Sequence, residues 1–394
     1  MKLRSIGLSG ALVSLAAVSA ACGGSSGGDG TKGITEDTIV IGTSNAATGP
    51  AAGTCKPVTD GSAAWFAKVN DDGGVNGRKI ESIVLDDGYE GPKALANARE
   101  LAREPVFAMF GGCGSIQPPA VSSVTEREKI PYLFPVASVP EVVDDEQFRG
   151  LQPLWDDQFR GFTEAVLKSE GAGSVFLLNQ QTPGLGDLIQ AQKDGIETAG
   201  GSIVGDEQYA PGLSDVAPFV LQIKKADPDY VILGSISADA ARIYQALKAA
   251  NALPAKFVLS NSGLLGTSFL GPIGADADGK VLTPASVAPA TSQEAASCLE
   301  AFEKYAPDLT ADASSLAGCA YAQVLVTALE ETGDELTREA LLETLDGWKD
   351  MEASPLLPPL TFGEGHHIGL TSMDSLGVAD GAPQLRDGTF PLGQ

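Results

Sequence analysis

Histidine is almost missing from this chain: His366 and His367 are the only two in 394 residues. A serine hydrolase would have to work with one of that adjacent pair. Neither a GxGxxG turn nor a phosphate-binding loop occurs, and Gly42-Thr43-Ser44-Asn45-Ala46 lacks the final glycine of a nucleophile elbow. The five cysteines include no CxxC pair, which speaks against zinc. His366, His367 and Glu364 read as exposed loop residues in a glycine-rich segment rather than as metal ligands. Basic side chains are scarce as well, 26 against 51 acidic, for a net charge of −25. Such a surface repels polyanions, so no nucleic-acid partner is expected. No apolar run reaches the roughly 20 residues that cross a bilayer. These shortages leave little room for an enzyme, and no cofactor or metal is expected.

What is present begins with Cys22. Lys2 and Arg4 precede an apolar run from Ile6 to Val18, and Ser19-Ala20-Ala21 lead directly to the cysteine. That order is the grammar of an export signal. A small-residue cleavage site ending on cysteine resembles the bacterial lipoprotein signal. The resemblance implies removal of residues 1–21, a lipid on Cys22, and work outside the cytoplasm while anchored to the cell membrane. Residues 22–33 are glycine- and serine-rich and read as a flexible linker. Losing Lys2 and Arg4 with the leader would move the net charge from −25 to −27. An even set of further cysteines, Cys55, Cys113, Cys298 and Cys319, favours disulfides in an exported chain. Three pairings are possible; nearness in sequence favours Cys298 with Cys319, leaving Cys55 with Cys113.

From Ile39 onward, short apolar strands alternate with amphipathic helices. Strands are expected at Ile39–Ile41, Ile80–Leu85, Val106–Phe110 and Tyr132–Phe134, with helices near 61–70, 92–102 and 119–127. After a break the rhythm restarts, with strands near 174–178, 202–204, 230–233 and 256–259 and helices near 186–199, 215–226 and 238–250. Strands separated by single helices imply parallel sheets covered on both faces. The expected architecture is α/β, two doubly wound parallel-sheet lobes joined by three crossings near 148–159, 282–288 and 355–360. Lobe 1 would take residues 34–153 and 288–354, and lobe 2 residues 154–287 and 355–394. Three crossings make a natural hinge.

Several segments then match a known family in order: Val69-Asn70-Asp71-Asp72-Gly73-Gly74-Val75-Asn76-Gly77-Arg78-Lys79-Ile80, Asp86-Asp87, Gly111-Gly112-Cys113-Gly114-Ser115, Pro135-Val136-Ala137-Ser138-Val139-Pro140, and Pro358-Pro359-Leu360-Thr361-Phe362-Gly363-Glu364-Gly365. They resemble the leucine/isoleucine/valine-binding type of periplasmic solute-binding protein, the type I fold that feeds ABC importers. The likeness runs from about Gly33 to the C-terminus. It implies that Gly114, Ser115, Val136, Ala137 and Ser138 hold a solute's carboxylate, and that Thr182, Ser235, Ile236, Asn261 and Ser262 face it from lobe 2. The chain departs from the family in two places. No carboxylate stands near Asn261 and Ser262 to meet an ammonium group, so Asp239 or Asp87 would have to substitute. The family's aromatic wall near Cys55 is also lacking. The implied function is capture of a small polar solute (an amino acid, amide or small carboxylate) between closing lobes of a monomer that delivers it to ABC permease subunits. A ligand-sensing surface receptor of the same fold is the alternative.

Overall fold

The computed structural model describes residues 29–392, apart from 138, 182–185, 211–212, 214, 263–264 and 266. Cys22, Ser138 and Thr182 therefore lie outside the described residues. The first half of the chain runs β1 (Thr38–Asn45), α1 (Ala52–Asp71), β2 (Lys79–Asp86), α2 (Gly91–Arg103), β3 (Ala108–Phe110), α3 (Gln117–Glu128), β4 (Tyr132–Leu133) and β5 (Phe148–Arg149). These strands form one sheet in the order β2-β1-β3-β4-β5, every neighbour parallel. Helix α1 begins well before the expected 61. Its early turns contain Pro57, which cannot donate to the carbonyl four residues back. That stretch is held from outside: the Asn45 side chain donates to the Cys55 carbonyl at 2.8 Å, and Cys55 is bonded to Cys113.

The second half follows with α4 (Trp155–Glu170), β6 (Ser174–Gln180), α5 (Gly186–Thr198), β7 (Ser202–Tyr209), α6 (Ala217–Ala226), β8 (Tyr230–Leu233), α7 (Ser237–Ala249), β9 (Lys256–Leu259), α8 (Thr267–Ile273) and β10 (Val281–Ala285). Strands β6 to β10 are parallel neighbours. The chain then returns to the first lobe as α9 (Ala296–Tyr305), α10 (Ala313–Thr332) and α11 (Arg338–Asp346), and ends in β11 (Ser372–Ala379), β12 (Ala382–Leu385) and β13 (Phe390–Pro391). The last three pair antiparallel at the edge of the second sheet, whose order is β12-β11-β10-β9-β8-β6-β7 with β13 on β11. Only β11 and β12 are joined by a hairpin; β10 and β11 are joined by the long excursion through lobe 1.

The third crossing falls later than the expected 355–360. Leu356, Leu357, Leu360, Phe362 and Leu370 pack in the first lobe's core with Leu133, Phe134 and Tyr321, and the chain joins the second sheet only at Ser372. Pro355 and Pro358-Pro359 look like the edge of an element, but the apolar side chains between and beyond them find their burial in lobe 1. Residues 355–370 thus belong to lobe 1, not lobe 2. Helix α10 is the spine of that lobe. A Cβ on Gly318 would sit 1.9 Å from the Val58 carbonyl oxygen, so α1 and α10 meet backbone to backbone. The second disulfide, Cys298–Cys319, ties α9 to α10. Among the described residues, no helix is long and apolar enough to cross a membrane.

Candidate functional site

In doubly wound sheets the strands' carboxyl ends open onto loops and helix N-termini, where ligands collect. On lobe 1 the loops after β3 and β4 are stitched into one unit: the Gly114 amide donates to the Val136 carbonyl at 3.0 Å and the Val136 amide to the Gly112 carbonyl at 2.9 Å. Gly114 has φ of +97°, and a Cβ there would lie 2.5 Å from the Tyr89 ring. Glycine is required both for the left-handed backbone and for the aromatic packed on it. Ser115 and Ile116 are exposed, Val136 is half-buried and Ala137 is buried. The sequence reading therefore brings Gly114, Ser115, Val136 and Ala137 to one place. It missed Tyr89, which packs beside Cys55, Cys113 and Val136 and supplies an aromatic near Cys55 where none was expected. Tyr89 follows a strand end in a plain Gly-Tyr turn, and no local pattern marks it.

Beneath that surface, Asp87 is fully buried. Its carboxylate accepts from the Ser44 hydroxyl at 2.8 Å, the Gln117 amide at 3.2 Å and the Tyr89 backbone at 2.9 Å. All three donors are neutral, and together they use both of its oxygens. Neighbouring Asp86 is exposed and clips the loop after β1, accepting from the Thr48 hydroxyl and the amides of Ala47 and Thr48. The Thr48 hydroxyl leads the donors that hold its acid down to about 2.

On lobe 2 the ends of β7 to β10 are joined in a row. Tyr209 and Ser235 share a hydrogen bond between hydroxyls. The Ser235 amide and carbonyl meet the Asn261 side chain at 3.3 and 3.2 Å, and the Thr283 hydroxyl holds the Asn261 carbonyl at 2.9 Å. Behind them Asn179, Gln192 and Ser260 form a buried amide chain. Ser235 and Asn261 are thus gathered, with Ser262 next in the chain, while Ile236 stands 48% exposed at the uncapped start of α7. Tyr209 was not singled out by sequence; burial, chiefly, pushes its phenol up to about 12, with the charge of Asp239 adding to the effect. Asp239, in the first turn of α7, is 2% exposed. One of its oxygens has no partner among the described residues, and the other lies 3.4 Å from Arg242, whose guanidinium also reaches the Leu213 carbonyl.

At Thr283 this row borders an apolar cavity of about 450 Å³, walled by Leu265, Leu270, Val287, Ala288, Leu376 and Pro383. Its lining continues through Thr310–Ala313 at the start of α10, so both lobes contribute to it.

The profile of the periplasmic binding protein family matches residues 38–382. The chain belongs to the periplasmic binding protein family. That family binds solutes and works outside the cytoplasm, which points away from catalysis. The binding protein is 25% identical over 250 residues to the Leu/Ile/Val/Thr-binding protein of Salmonella typhimurium, covering 63% of this chain and 68% of that one. It is 24% identical over 220 residues to the Leu/Ile/Val-binding protein of Escherichia coli, covering 55% and 59%. The second alignment thus spans less than two thirds of that relative. In three dimensions the binding protein superposes on a branched-chain amino acid ABC transporter from Thermus thermophilus with bound valine, with TM-score 0.75, 16% identity, and 91% and 97% of the two chains covered.

Proposed function

We propose that this protein is the extracytoplasmic solute-binding lipoprotein of an ABC importer, acylated at Cys22, and that it captures a small amphipathic carboxylate between its lobes and presents it to permease subunits. The observation that carries this reading is the pairing of a polar row at each lobe's strand ends with an apolar cavity lined from both lobes. Ser115 and Ala137, with Ser138, would receive the solute's carboxylate through backbone amides and hydroxyls, on a surface that the Gly114–Val136 pairing holds in shape. Ser235, Asn261, Ser262 and Tyr209, with Thr182, would meet it from lobe 2 as the hinge closes. The cavity beside Thr283 would take an aliphatic side chain, which favours a branched-chain amino acid over an amide or a purely polar solute. Of the two candidate counter-charges for an ammonium group, Asp87 has both oxygens filled by its own lobe, whereas Asp239 keeps one unmet. Asp239 is therefore the better partner. Its negative charge also suits the positive end of α7.

The test is thermal unfolding of the chain from residue 22 against leucine, isoleucine, valine, their amides, and the matching acids without an amino group. A solute at 100 times its Kd stabilises by about 2.7 kcal/mol. Shifts confined to amino acids support the reading with its counter-charge. Shifts with the deaminated acids alone would overturn the ammonium assignment and keep the carboxylate. Absence of a shift across the whole panel would overturn the proposed solute class.

A further inference from the structure

His366 and His367 are not loop ornaments. His367 is only 9% exposed and His366 is half-buried. Both lie at the lobe 1 end of the hinge, where the chain leaving β5 for the first crossing runs beside the chain approaching the third: the Gly150 amide donates to the His367 carbonyl at 2.8 Å, and the Gly369 amide to the Gly150 carbonyl at 2.8 Å. Each ring also keeps one buried nitrogen without a hydrogen-bond partner among the described residues, Nε2 of His366 and Nδ1 of His367. The other nitrogen of His367 reaches the Val143 carbonyl.

The charges around the pair are fixed. Arg149 of β5 faces His367, and its guanidinium is fully engaged: Nε and Nη2 donate to the Asp346 carboxylate at 2.7 and 2.6 Å, and Nη1 to the carbonyls of Glu146 and Phe148. Asp346 at the end of α11 and Asp145 before β5 face His367 with the opposite sign. Lys349 faces His366 while its ammonium is bound to the Phe362 carbonyl. Asp144 and Asp157 line the smaller cavity beside the pair, and Glu364 the larger. A proton added to either ring enters a buried place with no acceptor waiting and a pinned cation nearby. Burial, first, and the nearby cation, second, hold both imidazoles below the ordinary value of 6.5.

Room to escape exists. A cavity of about 830 Å³ and one of about 220 Å³ both have His367 in their walls. A charged ring that turns into either one gains water, but it pulls on the backbone that joins Gly150 to Gly369. We propose that His366 and His367 form a proton-operated clasp on the hinge: acidification charges the rings, opens the pairing of the two chain segments that lead into the first and third crossings, and loosens one lobe against the other. The neutral rings stabilise the clasp fully above about pH 6.5, and that contribution disappears as pH falls through the lowered folded values.

The clasp can be tested with no solute present. With spin labels on Glu100→Cys in α2 and Gln222→Cys in α6, both exposed, pulsed electron resonance reads the distance between the lobes. The expected result is a distribution that broadens between pH 7.5 and 5.5 in the parent and stays constant in His366→Gln/His367→Gln. Equal broadening in parent and double variant, or none in the parent, would overturn the clasp. Should the double variant fold poorly, proton NMR of the parent decides: with only two histidines, both imidazole signals should titrate below 6.5 and shift together with Gly150 and Gly369 amides. Titration at the ordinary value, or without those amides responding, would refute it.

Discussion

At Asp239 the chain buries a carboxylate oxygen that no donor among the described residues meets, and an unsatisfied buried acceptor is costly. If a bound ammonium fills that place, Asp239→Asn should weaken leucine binding by about 10- to 100-fold, because a hydrogen bond to a charged group contributes about 1.5–3 kcal/mol. Calorimetry would read the loss, and unchanged affinity would return Asp239 to a purely structural role at the start of α7. Asp86 makes a different prediction. Its acid is depressed to about 2, so the clip it forms with Thr48 is complete above about pH 4 and fails as pH falls toward 2. Acid unfolding of Asp86→Asn should therefore lose part of its steepness in that window. Residues of this kind were only half legible. The glycines and hydroxyls after β3 and β4 advertise themselves by composition and position, whereas Tyr89 and Tyr209 become site residues only because the chain brings strand ends together. Read locally, the two histidines also looked exposed; their burial comes from the neighbouring crossing at Gly150.

Among the elements, α1 and α10 carry the sharpest constraint. Their backbones approach at Gly61 and Gly318, where an added Cβ would meet carbonyl oxygens at 2.1 and 1.9 Å. The Ser62 hydroxyl donates across the seam to the Gly318 carbonyl at 2.9 Å. Overpacking typically costs about 1–3 kcal/mol and can exceed that against rigid backbone, so Gly318→Ala should lower the thermal midpoint, while Gly53→Ala, at an exposed position of α1 where an added Cβ meets nothing within 4 Å, should do less. The disulfides join cysteines 58 and 21 residues apart. Removing Cys298–Cys319 by paired serine substitution should cost about 3 kcal/mol in denaturant unfolding, and removing Cys55–Cys113 about 4. Strand and helix order was readable because period-two and helical apolar patterns alternate so regularly. The antiparallel edge of β11 to β13 was not, since those strands carry few strongly apolar positions and take their place by pairing. Helix α1 reaches back past the expected 61 to Ala52, through Pro57, where Asn45 and Cys113 hold the turn around it.

For the whole molecule, closing on a solute should compact the protein. Small-angle scattering with saturating leucine should show a smaller radius of gyration than without, and an identical curve would argue against capture by closure. Two lobes and three crossings were visible in the sequence, since the βα rhythm breaks and restarts. The position of the last crossing was not, because Leu356 to Leu370 look the same whichever lobe buries them.

Both disulfides belong to lobe 1, and each joins cysteines within a single one of its two stretches, one before lobe 2 in the sequence and one after it. Neither covalent bond links the early stretch to the late one. A chain emerging N-terminus first can therefore lay down the parallel strands β6 to β10 of lobe 2 while the first stretch of lobe 1 waits, already cross-linked, for its spine, and β11 to β13 complete lobe 2 last. A polypeptide cut within lobe 2 would leave two oxidised fragments with no sulfur between them, and their reassembly would rest on the fit of α10 against α1.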